Sequence, residues 1–136
     1  MRLIALLTGL MLLIAPLSLK AAEPDDSIQA VIADQIAAFQ KNDVERAFTH
    51  ASPNIQRIFG TPKRFGQMVE QGYPMVWRPA RYEWLKVVET DFGPVQVVLF
   101  EDQSGRLHEA GYLMQQIDGV WRINGVKLRP REGVGA

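Results

Sequence analysis

Residues 48–79 read FTHASPNIQRIFGTPKRFGQMVEQGYPMVWRP. Two hydroxyl–proline pairs, Ser52-Pro53 and Thr61-Pro62, each place an N-cap residue before a proline fitted to a first helical turn. Ile55, Ile58 and Phe59 form the apolar side of the first helix, and Gly60 stops it. Phe65, Met68 and Val69 continue inward on the next, and Gly72 stops that one. Tyr73-Pro74 and Arg78-Pro79 then predict extended backbone around Met75, Val76 and Trp77. Short, ring-rich helices cannot bury one another alone. This stretch is therefore expected to form the cap and rim of a small domain, and any site should border it.

Upstream, Asp26 with Gln29 gives a capping-box pattern. Ile28, Val31, Ile32, Ile36 and Phe39 fall on one helical face. The spacing predicts a helix over 27–41, with Gln35 as the polar residue inside its apolar stripe. Asn42-Asp43 breaks it and caps a short helix over 44–50.

Downstream of Pro79 the period changes to two. Residues 81–90 read as a strand, with Tyr82, Trp84 and Val88 on one face and Leu85 and Val87 on the other. Asp91 to Pro94 turns the chain into a β-branched strand over 95–101. A turn at 102–105 leads to a strand over 107–117, with Tyr112 and Met114 opposite Leu113. Asp118-Gly119 is a strong hairpin signal before a strand over 120–128, where Asn124-Gly125 predicts a bulge. Residues 129–136 read as a flexible tail. Helices followed by an antiparallel meander give an α+β domain over residues 23–128. The expected architecture is a cone: a long N-terminal helix and short capping helices packed on a curved antiparallel sheet of about four strands.

The first residues are unlike the rest. Met1-Arg2 precedes an almost unbroken apolar run from Leu3 to Leu13, and Ala21-Ala22 supplies a small-residue exit. This is the layout of a signal peptide over residues 1–22. The run is short of the ~20 apolar residues a spanning helix needs. Export to the periplasm or beyond is the expectation, with an uncleaved N-terminal anchor as the alternative. Cleavage takes Arg2 and Lys20 from the 15 cations and nothing from the 15 acids, a net charge of −2. That balance argues against a nucleic-acid partner. The chain has no cysteine, so thiol catalysis, thiolate metal sites and disulfides are excluded.

The residues Ala47-Phe48, Ala51-Ser52-Pro53, Ile55-Gln56, Phe59-Gly60, Met68-Val69, Gly72-Tyr73-Pro74, Arg78-Pro79 and Asp118-Gly119 with Trp121 resemble bacterial domain-of-unknown-function family 4864. The resemblance covers residues 28–128. It implies the nuclear-transport-factor-2-like fold, also called SnoaL-like or cystatin-like α+β. That fold hosts isomerases, dehydratases and binding modules, so it assigns no activity by itself.

Tyr73, Trp77, Tyr82, Trp84 and Tyr112 are the rings suited to line a ligand cavity, with Arg78 and Gln35 as polar candidates. Core packing competes with that role for each ring, and Gln35 reads first as a satisfied structural hydrogen-bonder. Arg57, Lys63, Arg64, Arg78 and Arg81 would hold an anion if they converged. The candidate acids and bases are Asp34, Asp43, His50, His108 and Glu109. None stands in a catalytic motif, and two histidines without cysteine point to no metal site or cofactor. The leading expectation is a non-enzymatic domain binding a small apolar or amphipathic molecule, or a protein partner, at the open end of the cone. The alternatives are a cofactor-free lyase or isomerase with an acid or base in the cone, and a homodimeric module using the open sheet face.

Overall fold

The computed structural model describes residues 24–131. Five helices precede four strands: α1 Pro24–Gln40, α2 Val44–Thr49, α3 Pro53–Phe59, α4 Pro62–Gly72, α5 Pro74–Trp77, β1 Arg81–Thr90, β2 Gly93–Glu101, β3 Leu107–Ile117 and β4 Val120–Pro130. The strands form one antiparallel open sheet in the order β1-β2-β3-β4. This is an α+β fold. The proposed signal segment lies outside the described residues, as do residues 132–136 of the expected tail.

Each cap predicted for the short helices is made. Asp43 accepts from the Arg46 amide at 3.1 Å, Ser52 from Ile55 at 3.2 Å and Thr61 from Arg64 at 3.2 Å. Such a cap contributes about 1 kcal/mol. Gly60 ends α3 at φ 79°, a conformation open to glycine. Helix α1 buries Ile28, Ile32, Gln35, Ile36 and Phe39 and crosses β2 and β4. Opposite it the sheet buries Val98, Phe100, Ala110, Tyr112, Met114 and Ile123. Burying an Ile or Phe side chain contributes roughly 1.5–3 kcal/mol, so this seam is the main source of stability.

Several expectations change. Helix α1 starts at Pro24, which puts Asp26 inside the helix instead of at its cap. Met75 to Trp77 belong to a short helical turn, α5, begun by Pro74 at its first position; proline fixes a φ that suits helix starts as well as extended chain. Strand β2 starts at Gly93, because Thr90 pairs with Gly93 and only Asp91 and Phe92 turn. Arg129 and Pro130 continue β4, paired with Glu109 and His108, so the tail does not begin at 129.

The sheet carries two bulges. One in β4 at Asn124 matches the Asn-Gly signal. The other, between Trp84 and Val87, was not legible in the sequence. An extra residue inverts strand parity. Val87 therefore pairs with Gln96 on the helix side and Val88 with Val95 on the other, the reverse of the expected faces. Buried Gln96 holds this irregularity. Its Nε2 donates to the Leu85 and Val97 carbonyls at 3.0 and 2.9 Å, and its Oε1 accepts from Gln29 of α1 at 3.4 Å.

Candidate functional site

The β4 bulge anchors the start of the cap. The Ile123 amide donates to the His50 carbonyl, and the Ser52 amide donates to the Ile123 carbonyl, both at 2.8 Å. The Ser52 hydroxyl donates to Asn124 Oδ1 at 2.7 Å. These bonds fix where α3 leaves the sheet. Helix α4 approaches α2 so closely that a Cβ on Gly66 would overlap Val44 Cγ1.

Between these helices and the β3–β4 half of the sheet lies a cavity of about 230 Å³. Ile55 and Phe59 of α3 and Phe65, Met68 and Val69 of α4 form one side. Tyr112, Ile123, Gly125 and Val126 of the sheet form the other. Gln35 and Phe39 of α1, Ala51, and Tyr73 and Val76 complete the wall. Among the described residues, no carboxylate, imidazole, amine or guanidinium lines it.

Three polar side chains do. Gln35 Nε2 donates to the Ala47 carbonyl at 3.1 Å, so the structural bond expected of Gln35 is made. The Tyr73 hydroxyl donates to the Val126 carbonyl at 3.4 Å. The Tyr112 hydroxyl is wholly buried and has no hydrogen-bond partner among the described residues. Burial, with a smaller contribution from Tyr82, pushes this phenol well above its ordinary pKa. It stays a neutral O–H group.

Of the seven residues proposed from sequence, Gln35, Tyr73 and Tyr112 line the cavity and the other four do not. Trp77 stacks on Phe39, centroids 5.4 Å apart. Arg78 lies over the Trp77 ring at 4.8 Å and donates to the Phe39 carbonyl at 2.6 Å and Asn42 Oδ1 at 2.7 Å, closing the end of α1. Tyr82 and Trp84 meet edge to face at 5.5 Å above the β1 end of the sheet. The arginines do not converge on one anion site. Arg78 is spent as a cap, Arg81 pairs with Glu101 at 2.5 Å, and Arg57, Lys63 and Arg64 are exposed.

The candidate acids and bases lie outside the cavity wall. Asp34 receives Arg46 at 2.7 and 2.9 Å and His50 at 2.6 Å. The Arg46 hydrogen bonds, then His50, hold its carboxyl down to about 2. His108 is half-buried and meets Asp102 at 2.8 Å. Ser104 and then His108 hold Asp102 well below the usual carboxylate range. Glu109 pairs with Arg129 at 2.8 Å and is lowered by it. Asp43 caps α2. Among the described residues there is no cluster of metal-ligating side chains and no helix long and apolar enough to cross a membrane.

The lining residues that were not among the sequence candidates are mostly apolar core residues, including Phe39, Phe59, Phe65, Ile55, Met68 and Ile123. A usable signal was the apolar side of α3 and α4, which reads as ordinary core.

No curated protein matches the chain. Residues 21–136 match the family described as Domain of unknown function (DUF4864). That match spans nearly the whole chain, which therefore belongs to the DUF4864 family.

Proposed function

We propose that this chain is an exported, cone-shaped domain of the nuclear-transport-factor-2-like fold. In this reading it binds a small apolar or amphipathic molecule in the cavity between α3–α4 and the sheet. The observation that carries it is the wall: apolar, free of titratable groups other than two tyrosines, and roofed by half-buried helices. About 230 Å³ is below the ~300–1,000 Å³ of sites for drug-sized ligands, so the ligand is small. The export reading rests on residues 1–22 alone. An isomerase or lyase would need an acid or base in reach of its substrate; the nearest candidates are spent on ion pairs and caps outside the wall.

The test is an NMR titration of the purified protein with toluene. Shifts confined to Ile55, Met68, Tyr112 and Val126 are expected, and an Ile55→Trp variant should abolish them. Shifts elsewhere, or none, would overturn the cavity reading.

A second reading rests on the opposite sheet face. Val95, Val97 and Leu113 surround Gly111 there, the Glu109–Arg129 pair borders them, and Phe92 at the adjoining turn is 83% exposed. An apolar centre with a charged rim suits pairing with a second copy. A dimer by sedimentation that Val97→Lys splits would support it; a monomer at high concentration would remove it.

A further inference from the structure

We infer that the ligand of this cavity is an uncharged molecule with a hydrogen-bond donor, an O–H or N–H group, which it gives to Gln35 Oε1. This rests on the cavity reading and narrows it. Gln35 is 3% exposed and stands in the cavity wall. The Ala47 carbonyl can only accept, so the amide nitrogen of Gln35 faces it and the amide oxygen points elsewhere. That oxygen has no hydrogen-bond partner among the described residues. It is not sealed either: among those residues, the Tyr112 hydroxyl is the one buried side-chain polar atom both unpaired and fully enclosed. Gln35 Oε1 therefore keeps accessible surface, and the cavity is the space that Gln35 borders. An amide oxygen left unpaired on a nearly buried residue is unfavourable, and a donor that arrives with the ligand satisfies it.

The rest of the wall selects against charge and against a ligand that can only accept. Among the described residues, no cation lines the cavity to neutralise a carboxylate, and no anion to neutralise an ammonium group. Burying an unpaired charge there would cost far more than the apolar contact returns. The Tyr73 hydroxyl gives its proton to the Val126 carbonyl, and the Tyr112 hydroxyl is enclosed, so neither offers a free donor. A fatty acid or a charged amine is therefore a poor occupant. A neutral alcohol, phenol or ring N–H compound is a good one. A dry cavity of ~150 Å³ can hold benzene, so the cavity of about 230 Å³ takes a single ring, or a short chain, with its donor.

Toluene, benzaldehyde, benzyl alcohol and benzylammonium share one body and separate these cases at neutral pH. Toluene makes no hydrogen bond, benzaldehyde can only accept, benzyl alcohol also donates, and benzylammonium donates with a charge. Binding of each to the purified protein is measured by NMR titration, in the natural sequence and in Gln35→Met. Toluene is expected to bind, benzyl alcohol to bind about threefold or more tighter than benzaldehyde, and benzylammonium not to bind. The Gln35 side-chain amide signals should move further with benzyl alcohol than with toluene. Gln35→Met fills the same space without the acceptor, and the Ala47 carbonyl keeps the His50 amide as a donor, so the variant should fold. It should weaken benzyl alcohol about three- to tenfold, as loss of one neutral hydrogen bond does, and leave toluene unchanged. Benzaldehyde matching benzyl alcohol would turn the amide N–H, not Oε1, to the ligand and overturn the inference. Benzyl alcohol indifferent to Gln35→Met, or benzylammonium binding best, would overturn it too, while toluene binding upholds the cavity. Were Gln35→Met not to fold, the order of the probes on the natural protein decides. Failure of all the probes would remove the cavity reading itself.

Discussion

At the β1 end of the sheet, Tyr82, Trp84 and Phe100 stack at 5.5 and 5.8 Å, and nearby Trp77 closes on Phe39. At the β4 end, the same sheet face meets α3 and α4, and a cavity remains between them. Both ends are rich in rings. They differ in what covers them. The first is filled by rings in tilted and edge-to-face contact. The second is roofed by helices of 7 and 11 residues, whose Ile55, Phe59 and Met68 stay half-buried. Aromatic content alone marks both ends equally. The length and punctuation of the covering helices separate them.

The largest effect expected from this contrast is on stability. Phe100 is fully buried at the filled end. Phe100→Ala should cost about 3–5 kcal/mol, read as a fall in the urea midpoint. Phe59→Ala at the hollow end should cost well under half as much, because its ring is only half-buried. Equal losses would break the comparison.

Next comes the cap. Gly66→Ala places a methyl against Val44, a stiff β-branched side chain. It should destabilise by about 1–3 kcal/mol. Pairing it with Val44→Ala should recover most of the loss; no recovery would mean that the α2–α4 approach does not fix the roof.

Arg78 and Gln96 sharpen the contrast from the structural side. Arg78→Ala takes the Arg78 donor from Asn42 Oδ1 and one of two donors from the Phe39 carbonyl, which keeps the Asn42 amide, and should cost about 1–2 kcal/mol. Gln96→Leu strands two carbonyls at the β1 bulge and should cost a similar amount. Neither should alter binding of a small apolar probe, whereas Tyr73→Ala should. Loss of probe binding in Arg78→Ala would return Arg78 to the site.

The smallest effect is the acid response of Asp34. Its folded pKa, about 2, lies below the ordinary 3.8. The stabilisation is thus present above pH 3.8 and is lost as pH falls towards about 2. Arg46 is 61% exposed, so solvent screening keeps the gain within about 1 kcal/mol. Denaturation at falling pH should show this component in the natural protein and not in Asp34→Asn. An identical pH slope in both would refute it.

Much of the fold is written in local signals. Proline and hydroxyl caps placed α3 and α4, the Asp118-Gly119 turn placed the last hairpin, and Asn124-Gly125 placed one bulge. The β1 bulge had no such mark. Leu85 and Lys86 are ordinary strand residues, and what holds the bulge is Gln96, eleven residues from Leu85 along the chain. The candidate site divides in the same way. Gln35 was visible because a polar residue inside an apolar stripe stands out, and Tyr73 and Tyr112 because their rings suit a cavity wall. Trp77, Trp84 and Tyr82 are equally visible but serve as packing, and only the positions of the helices distinguish the two roles. Arg78 looked free because the carbonyl it caps lies 39 residues earlier.

The most direct test is native against denaturing mass spectrometry, on the protein and its Ile55→Trp variant purified from the cells that make them. The account predicts a small extra mass on the natural protein, lost on denaturation and missing from Ile55→Trp. A bare natural protein, or an adduct that Ile55→Trp retains, would contradict it.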